Sequence, residues 1–311
     1  MSKVRRVATI FLVLSLLLVA ALSIASFFSE QDQVCELLSH LRLLWILVLL
    51  VLSSFLVLVR RFDFAGASAI LLLVNVSDVA WMYVQPDRTL HSSASLISVL
   101  QFNAAGDRNA RFEDLVSLVR NKQPDLVALS EVNERWIAVL DEKLRDYSYR
   151  YSVDLGRSDG LAVYSKYRLS DIVTRYSKIA KRPRIVGDFE TGRSKIRFCF
   201  AHPILPVLPE YRNEELQELA TEAQVSTNPV ILIGDLNCTP WSFYFRKLLR
   251  DGRLFDTERG YGPQCTFDSR MFIQLLPIDH CLTSSNFFTV KRTVGPDLGS
   301  DHLPVFVTLR Y

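Results

Sequence analysis

The run Val230-Ile231-Leu232-Ile233-Gly234-Asp235-Leu236-Asn237 decides the fold. Its first four residues are aliphatic, the pattern of a fully buried strand. Glycine interrupts the run, and a carboxylate and an amide follow two positions apart. Working outward, other apolar runs meet polar residues in the same way. Asn103 follows Val99–Phe102, Glu131 follows Leu126–Leu129 and Ser130, and His202 follows Phe198–Ala201. Asp279 and His280 follow Leu275–Ile278, and Asp301 and His302 precede Leu303–Val307. Strand ends opening into loops are where α/β folds build their sites. Each residue alone has a plain use, since Asn after a strand forms turns and Asp-x-Asn caps helices. Six such positions in succession are not explained by turns.

Between these points the chain alternates. Phe112, Leu115, Val116 and Val119 fall at helical spacing, as do the apolar residues of 134–144 and Leu216, Leu219, Ala220 and Ala223. Thr239-Pro240 is expected to open a further helix, with Thr as cap and Pro in the first turn. Strand patterns are expected at 96–102, 125–129, 147–153, 161–164, 169–176, 184–189, 195–201 and 230–233, and near 277–283, 286–293 and 304–310. Helices separated by single strands, with many consecutive strands between, predict packed sheets flanked by helices.

The front of the chain is different. Of 311 residues, 49% are hydrophobic and 22% charged, and mean hydropathy is +0.17. This excludes a disordered or collagenous chain. Residues 1–84 hold six Lys/Arg and five acids, and 85–311 hold thirty and twenty-eight. Val7–Phe28 is uncharged and mostly apolar, and roughly 20 such residues span a bilayer. Leu43–Val59 and Phe64–Val84 follow, the last weakened by Asn75 and Asp78. A signal peptide is the rival for the first run, but its apolar part is normally only about 7–15 residues. A buried helical hairpin is the rival for all three, but no polar face is present. Three transmembrane helices are therefore expected, at about 7–28, 43–59 and 64–84, with 85–95 as linker and 96–311 as a folded domain. Lys3, Arg5 and Arg6 keep the amino end in the cytoplasm, and three spans put the domain outside it. Asp78 is expected near the outer interface, beside Trp81 and Tyr83. Five cysteines, with no CxxC pair and no metal-like spacing, read as buried free thiols, with disulfides of unreadable pairing in an exported domain as the alternative.

The motifs Gln101-Phe102-Asn103, Leu129-Ser130-Glu131, the run Gly160–Lys166, Ala201-His202-Pro203, Gly234-Asp235-Leu236-Asn237, Ile278-Asp279-His280 and Ser300-Asp301-His302 resemble the endonuclease/exonuclease/phosphatase superfamily. This is the group of DNase I, abasic-site endonucleases, neutral sphingomyelinases and inositol polyphosphate 5-phosphatases. The resemblance covers roughly 95–311. With its three spans the chain is also similar to bacterial inner-membrane members of the group. The resemblance implies a DNase I-like four-layer α/β sandwich and a metal-dependent phosphoesterase, with Mg²⁺, or Mn²⁺ in its place, held by oxygen ligands. Glu131 is the leading metal ligand, with Asn103 beside it and Asp301 as a second carboxylate. Asp235 is expected to position or deprotonate the attacking water, and Asn237 to hold a phosphate oxygen. His202 matches a phosphate-binding histidine. His302 is a general base or a donor to the phosphate, oriented by Asp279. His280 and Cys238 are expected to pack, Asp159 to be a solvated turn residue, and His40 and His91 to lie on the surface.

The substrate stays open among nucleic acid, a phospholipid head group and a small phosphoester. Proteins that coat DNA show extended basic faces, and +2 over 85–311 does not predict one, although Arg135, Arg157, Arg246 and Arg250 offer a local patch. Lys178–Arg184 reads as a solvated hairpin or a basic lip to the site. No protein partner is implied beyond the bilayer itself, met through 7–84. A different class of reading is a catalytically inactive, membrane-anchored binding module. Against it, every carboxylate, amide and histidine position of the motif set is filled.

Overall fold

A computed structural model describes residues 3–86, 95–156, 159–192 and 194–311. His91 and Arg157 lie outside the described residues. The chain forms two compact units, one of residues 1–84 with 241–243 and one of 85–240 with 244–311.

The first unit is helical: α1 (Lys3–Ala25), α2 (Gln33–His40), α3 (Arg42–Leu58) and α4 (Phe62–Ala80). Asp32 caps α2 by accepting from the amides of Val34 and Cys35. Two stretches, Arg6–Phe28 and Phe62–Tyr83, are long and apolar enough to cross a membrane. The expected middle span differs, because α3 carries 17 residues and meets α2 at a 67° bend. Only with that bent pair taken as one span does the number reach three.

Leu16, Leu49, Leu52, Leu56 and Ala65 pack between the helices, and most other apolar side chains face outward. The polar residues that weakened the third apolar run face inward. Asn75 is fully buried, donates to Ser23 Oγ at 2.8 Å and accepts from Arg42 Nη1 at 2.9 Å. Asp78, toward the end of α4, is the ion-pair partner of buried Arg42, at 3.1 Å. His40 is buried beside Glu36 rather than on the surface.

The second unit is built from two six-stranded sheets. The first has the order β11-β12-β1-β2-β4-β3. These are β1 (Leu96–Asn103), β2 (Leu126–Val132), β3 (Tyr149–Val153), β4 (Gly160–Ser165), β11 (Phe288–Val294) and β12 (Val305–Arg310). The second runs β5-β6-β7-β8-β10-β9. Its strands are β5 (Arg168–Tyr176), β6 (Pro183–Glu190), β7 (Lys195–Ala201), β8 (Val230–Asp235), β9 (Phe255–Asp256) and β10 (Asp279–Thr283). The sheets face each other across a core that includes Ile97, Val99, Phe198, Phe200, Ile231, Ile233 and Val307. The outer face of the first sheet is covered by α5 (Phe112–Lys122) and α6 (Glu134–Lys143), and that of the second by α7 (Pro209–Gln224) and α8 (Phe243–Asp251). The result is the expected four-layer α/β sandwich.

Helix α5 shows why the residues fold as they do. Phe112, Leu115, Val116 and Val119 are its buried stripe, with Glu113 and Asp114 in the first turn and Arg120 and Lys122 in the last. That charge order complements the helix dipole. The last helix begins later than the sequence suggested. Residues 239–242 turn instead, and α8 starts at Phe243, where Phe245 and Leu248 supply the buried contacts. All five cysteines are free, three of them buried.

Candidate active site

The parallel pairs β1–β2 and β7–β8 bring the carboxyl ends of four strands to one end of the sandwich. β1 delivers Asn103, β2 Glu131, β7 His202 and β8 Asp235. Antiparallel β10 puts Asp279 directly opposite Asp235, and the segment before β12 carries Asp301 and His302.

Local backbone aims these side chains. Glu131 sits in a β-bulge between Ser130 and Val132 with φ of 51°, which redirects it from the sheet face to the rim. Asn237 has φ of 49°, in the left-handed region that asparagine tolerates. Gly234 has φ of 149°, and a Cβ there would lie 1.8 Å from the Ala201 carbonyl oxygen. β8 therefore needs glycine just before Asp235.

Asp235 Oδ2 is the point of convergence. His202 Nε2 and His302 Nε2 each lie 3.5 Å from it, and Asn103 Nδ2 donates to it at 3.1 Å. The same Asn103 nitrogen donates to Glu131 Oε1 at 2.9 Å, while Asn103 Oδ1 accepts from the Ala105 amide. His302 Nδ1 contacts Asp279 Oδ2 at 2.8 Å, and Gln101 Nε2 holds the other Asp279 oxygen at 2.8 Å. Glu131, Asp235 and Asp279, three of the four acids expected here, thus meet both expected histidines, with Asn103 among them. Asn237 lies beside them, its amide N–H on Asp235 Oδ1 and its side chain donating to the Pro203 carbonyl.

Burial and charge set the protonation. Burial works against a charge on His302, but the Asp279 and Asp235 carboxylates outweigh it and push its pKa up to about 10. Burial also opposes the charge on Asp279, yet the His302 charge and hydrogen bonds hold its carboxyl below the usual range. Burial lifts Asp235 to about 7 against the pull of His302. His202 is driven well below its ordinary value by burial and by the Arg182 charge. Arg182 Nη2 lies 3.0 Å from His202 Nδ1. Guanidinium only donates, so Nδ1 is the acceptor and Nε2 carries the proton toward Asp235.

Three contributors had no assigned role in the sequence. Arg108, just past Asn103, bridges Glu131 Oε2 at 3.0 Å and Asp301 Oδ2 at 2.9 Å. Gln101 stood in a recognised motif, but only the pairing across sheets shows its grip on Asp279. Arg182 belongs to the run read as a hairpin or lip. It is tucked against His202 and also meets Asp159 at 3.3 Å, so Asp159 reaches the site through it. Arg184 pairs instead with Glu218. Of the arginines that offered a local patch, Arg135 lies on α6 and Arg246 and Arg250 on α8, and these helices cover opposite outer faces. His280 packs as expected, its ring 4.5 Å from Phe245 and Nε2 on the Cys238 carbonyl.

The donor set fits a divalent cation. Glu131 and Asp301 aim oxygens at one cationic group, Arg108, and one donor atom each of Asp235, Asp279 and His302 lie within 4.8 Å of one another. Carboxylate oxygens suit hard ions such as Mg²⁺.

No curated protein matches the chain. Among solved structures, D. rerio TDP2 complexed with single strand DNA product is 14% identical, with 69% of this chain and 99% of that one covered and a TM-score of 0.59. An endonuclease/exonuclease/phosphatase family protein from Leptotrichia buccalis is 18% identical, covering 69% of this chain and 100% of that one, also with a TM-score of 0.59. The corresponding protein from Beutenbergia cavernae is 21% identical, covering 69% and 71%, with a TM-score of 0.56. These likenesses concern the fold. The model of the Endonuclease/Exonuclease/phosphatase family matches residues 100–302, from the strand that delivers Asn103 to the terminal histidine, and the chain belongs to that family of metal-dependent phosphoester hydrolases.

Proposed function

We propose that this chain is a membrane-anchored, Mg²⁺-dependent phosphodiesterase. The observation that carries the reading is the convergence of His202, His302 and Asn103 on one oxygen of Asp235, beside Glu131. In this reading Glu131, Asp301 and Asn103 hold the ion, which when bound neutralises phosphate oxygens.

The protein's own groups do the rest. Asp235, near neutral in pKa, orients a water and takes its proton as the water oxygen bonds to phosphorus. The bond to the leaving oxygen breaks, that oxygen keeps the electron pair, and it gains a proton. His302, held as imidazolium by Asp279, supports the donor role rather than the base. His202 Nε2–H and the Asn237 amide grip phosphate oxygens. Anchoring is supported by the two spanning-length helices, and a third crossing by the bent pair α2–α3 would carry the domain to the extracytoplasmic side.

The test uses the full chain in detergent with bis-p-nitrophenyl phosphate. Turnover should require Mg²⁺ or Mn²⁺, vanish with EDTA, and fall by about 100-fold or more in Glu131→Ala and His302→Ala. Absence of any metal-dependent turnover overturns the reading in favour of a binding module.

A further inference from the structure

Three loops leave the candidate site, and each carries apolar side chains into solvent within a few residues of it. The first runs on from His202, where Asn237 holds the Pro203 carbonyl at 3.0 Å. Leu205 and Val207 on it are 59% and 64% exposed, and Leu208 is exposed too. The second runs on from Phe267, whose ring lies 4.8 Å from that of His302. Ser269 donates to the Asp301 carbonyl at 2.8 Å and Arg270 lies 3.5 Å from its carboxylate. The next three residues are Met271, Phe272 and Ile273, with Phe272 99% exposed and both neighbours at least half exposed. The third is the β5–β6 hairpin, where Arg182 touches His202 and Lys178, Ile179 and Lys181 are exposed.

Single exposed aliphatics are ordinary. A bare Met-Phe-Ile tip is not, because water pays no compensation for that much apolar surface. Its setting indicates what covers it. The tips are aliphatic as well as aromatic, so they are poor stacking platforms for bases. They stand around a recessed polar site, with exposed Lys178 and Lys181 beside them, while Arg270 is held by Asp268 and Asp301. Apolar tips flanked by basic residues suit an anionic bilayer, taking acyl chains at the tip and headgroup phosphates at the flank. The same chain carries helices long and apolar enough to cross a membrane.

We propose that these three tips dock the catalytic face on an anionic lipid surface, so that the phosphoester attacked is that of a membrane lipid headgroup. The substrate part rests on the phosphodiesterase reading; the docking part does not.

The full chain with Cys35→Ser, Cys265→Ser and Phe272→Cys is labelled with an environment-sensitive fluorophore. It is then reconstituted in phosphatidylcholine–phosphatidylglycerol vesicles containing nitroxide-labelled lipid. A second protein carries the label at Ser285→Cys instead, at the opposite end of β8. Docking predicts a blue shift and several-fold stronger quenching at position 272 than at 285. Equal quenching at the two overturns it. In the unlabelled chain, Met271→Ser with Phe272→Ser should leave bis-p-nitrophenyl phosphate turnover unchanged and lower turnover of vesicle phospholipid at least tenfold. Quenching without turnover of any phosphoester keeps the docking and overturns the hydrolase reading. Quenching with turnover of soluble diesters but not of lipid overturns the substrate assignment. An equal loss on single-stranded DNA makes the tips a nucleic-acid surface and overturns the proposal.

Discussion

Arg182 shows how much of this site depends on a residue that touches no phosphate in the proposed chemistry. A buried neutral imidazole has two tautomers, and the hydrogen bond at one nitrogen selects the form of the other. With Arg182 donating to Nδ1, the His202 proton is fixed on Nε2, facing Asp235. Arg182→Leu frees Nδ1 to take the proton. We expect kcat/KM to fall by about 10–100-fold, the usual effect of losing an orienting partner, with Arg182→Gln recovering part of it through its remaining donor. Imidazole ¹⁵N shifts of His202 check the tautomer directly, and an unchanged tautomer in Arg182→Leu defeats the assignment. Away from the site, Glu258 reports on a different buried charge. Burial, reinforced by Asp256, outweighs the Arg292 charge and raises its pKa to about 8. A group held protonated by the fold stabilises most below its unfolded pKa, and the benefit is lost as pH rises through the folded value. Stability should therefore fall between about pH 4.5 and about 8, by about 1.4 kcal/mol per pH unit at most. Glu258→Gln should flatten that slope in denaturant melts at pH 6 and pH 9. A slope identical to the parent's excludes Glu258 as its source.

At the scale of elements, the sequence was a good guide wherever burial alternates or repeats. Strand β8 was legible from Val230–Ile233, and α5 from its four-residue stripe. The two-residue β9 was not, because two residues carry no period. The start of α8 was missed because a Thr-Pro cap signal is local, whereas the first helical residues are chosen by what Phe245 and Leu248 bury. The site was legible as residue types, since Asn103, Glu131, His202 and Asp235 lie at or just past the carboxyl ends of strands, and Asp279 and His302 at or before the starts of antiparallel ones. Arg108 was not, because an arginine in a loop gives no signal until the carboxylates of two strands meet around it. Gly234 lies between these cases. It stood in the motif, but its reason is the Ala201 carbonyl on the neighbouring strand β7, 1.8 Å from where a Cβ would sit. Gly234→Ala must push β7 and β8 apart just where His202 and Asp235 emerge. A loss of about 3 kcal/mol is expected, with activity falling further than stability alone accounts for. A variant with native melting and native turnover removes that role for the glycine.

For the whole molecule, hydropathy found the apolar front but not its interior. Asn75 and Asp78 lowered the apparent quality of the third run, yet both turn inward to Arg42. Paired inside a bundle, such groups do not forbid a span. The number of spans then decides where the catalytic unit works. Two spans, Arg6–Phe28 and Phe62–Tyr83, return the chain to the side of its amino end. A third, made from the bent pair α2 and α3, sends it across. The polar α2 has Glu36 and His40 buried together, while α3 is a run of 17 residues with Arg42 at its head, short for a full crossing but close to the lower limit. Arg60 and Arg61 follow α3, and basic residues are retained in the cytoplasm. We propose that Lys3, Arg5 and Arg6 are retained in the same way, that α1, α3 and α4 each cross, and that residues 85–311 emerge on the outer side. A carboxyl-terminal alkaline phosphatase fusion in a bacterial host should then be active, and a cytoplasmic reporter at the same position silent. The same pair of reporters placed after Arg61 should give the reverse. An inactive phosphatase with an active cytoplasmic reporter at the carboxyl end leaves two crossings, makes α2–α3 a re-entrant or surface segment, and moves the hydrolase to the cytoplasmic face.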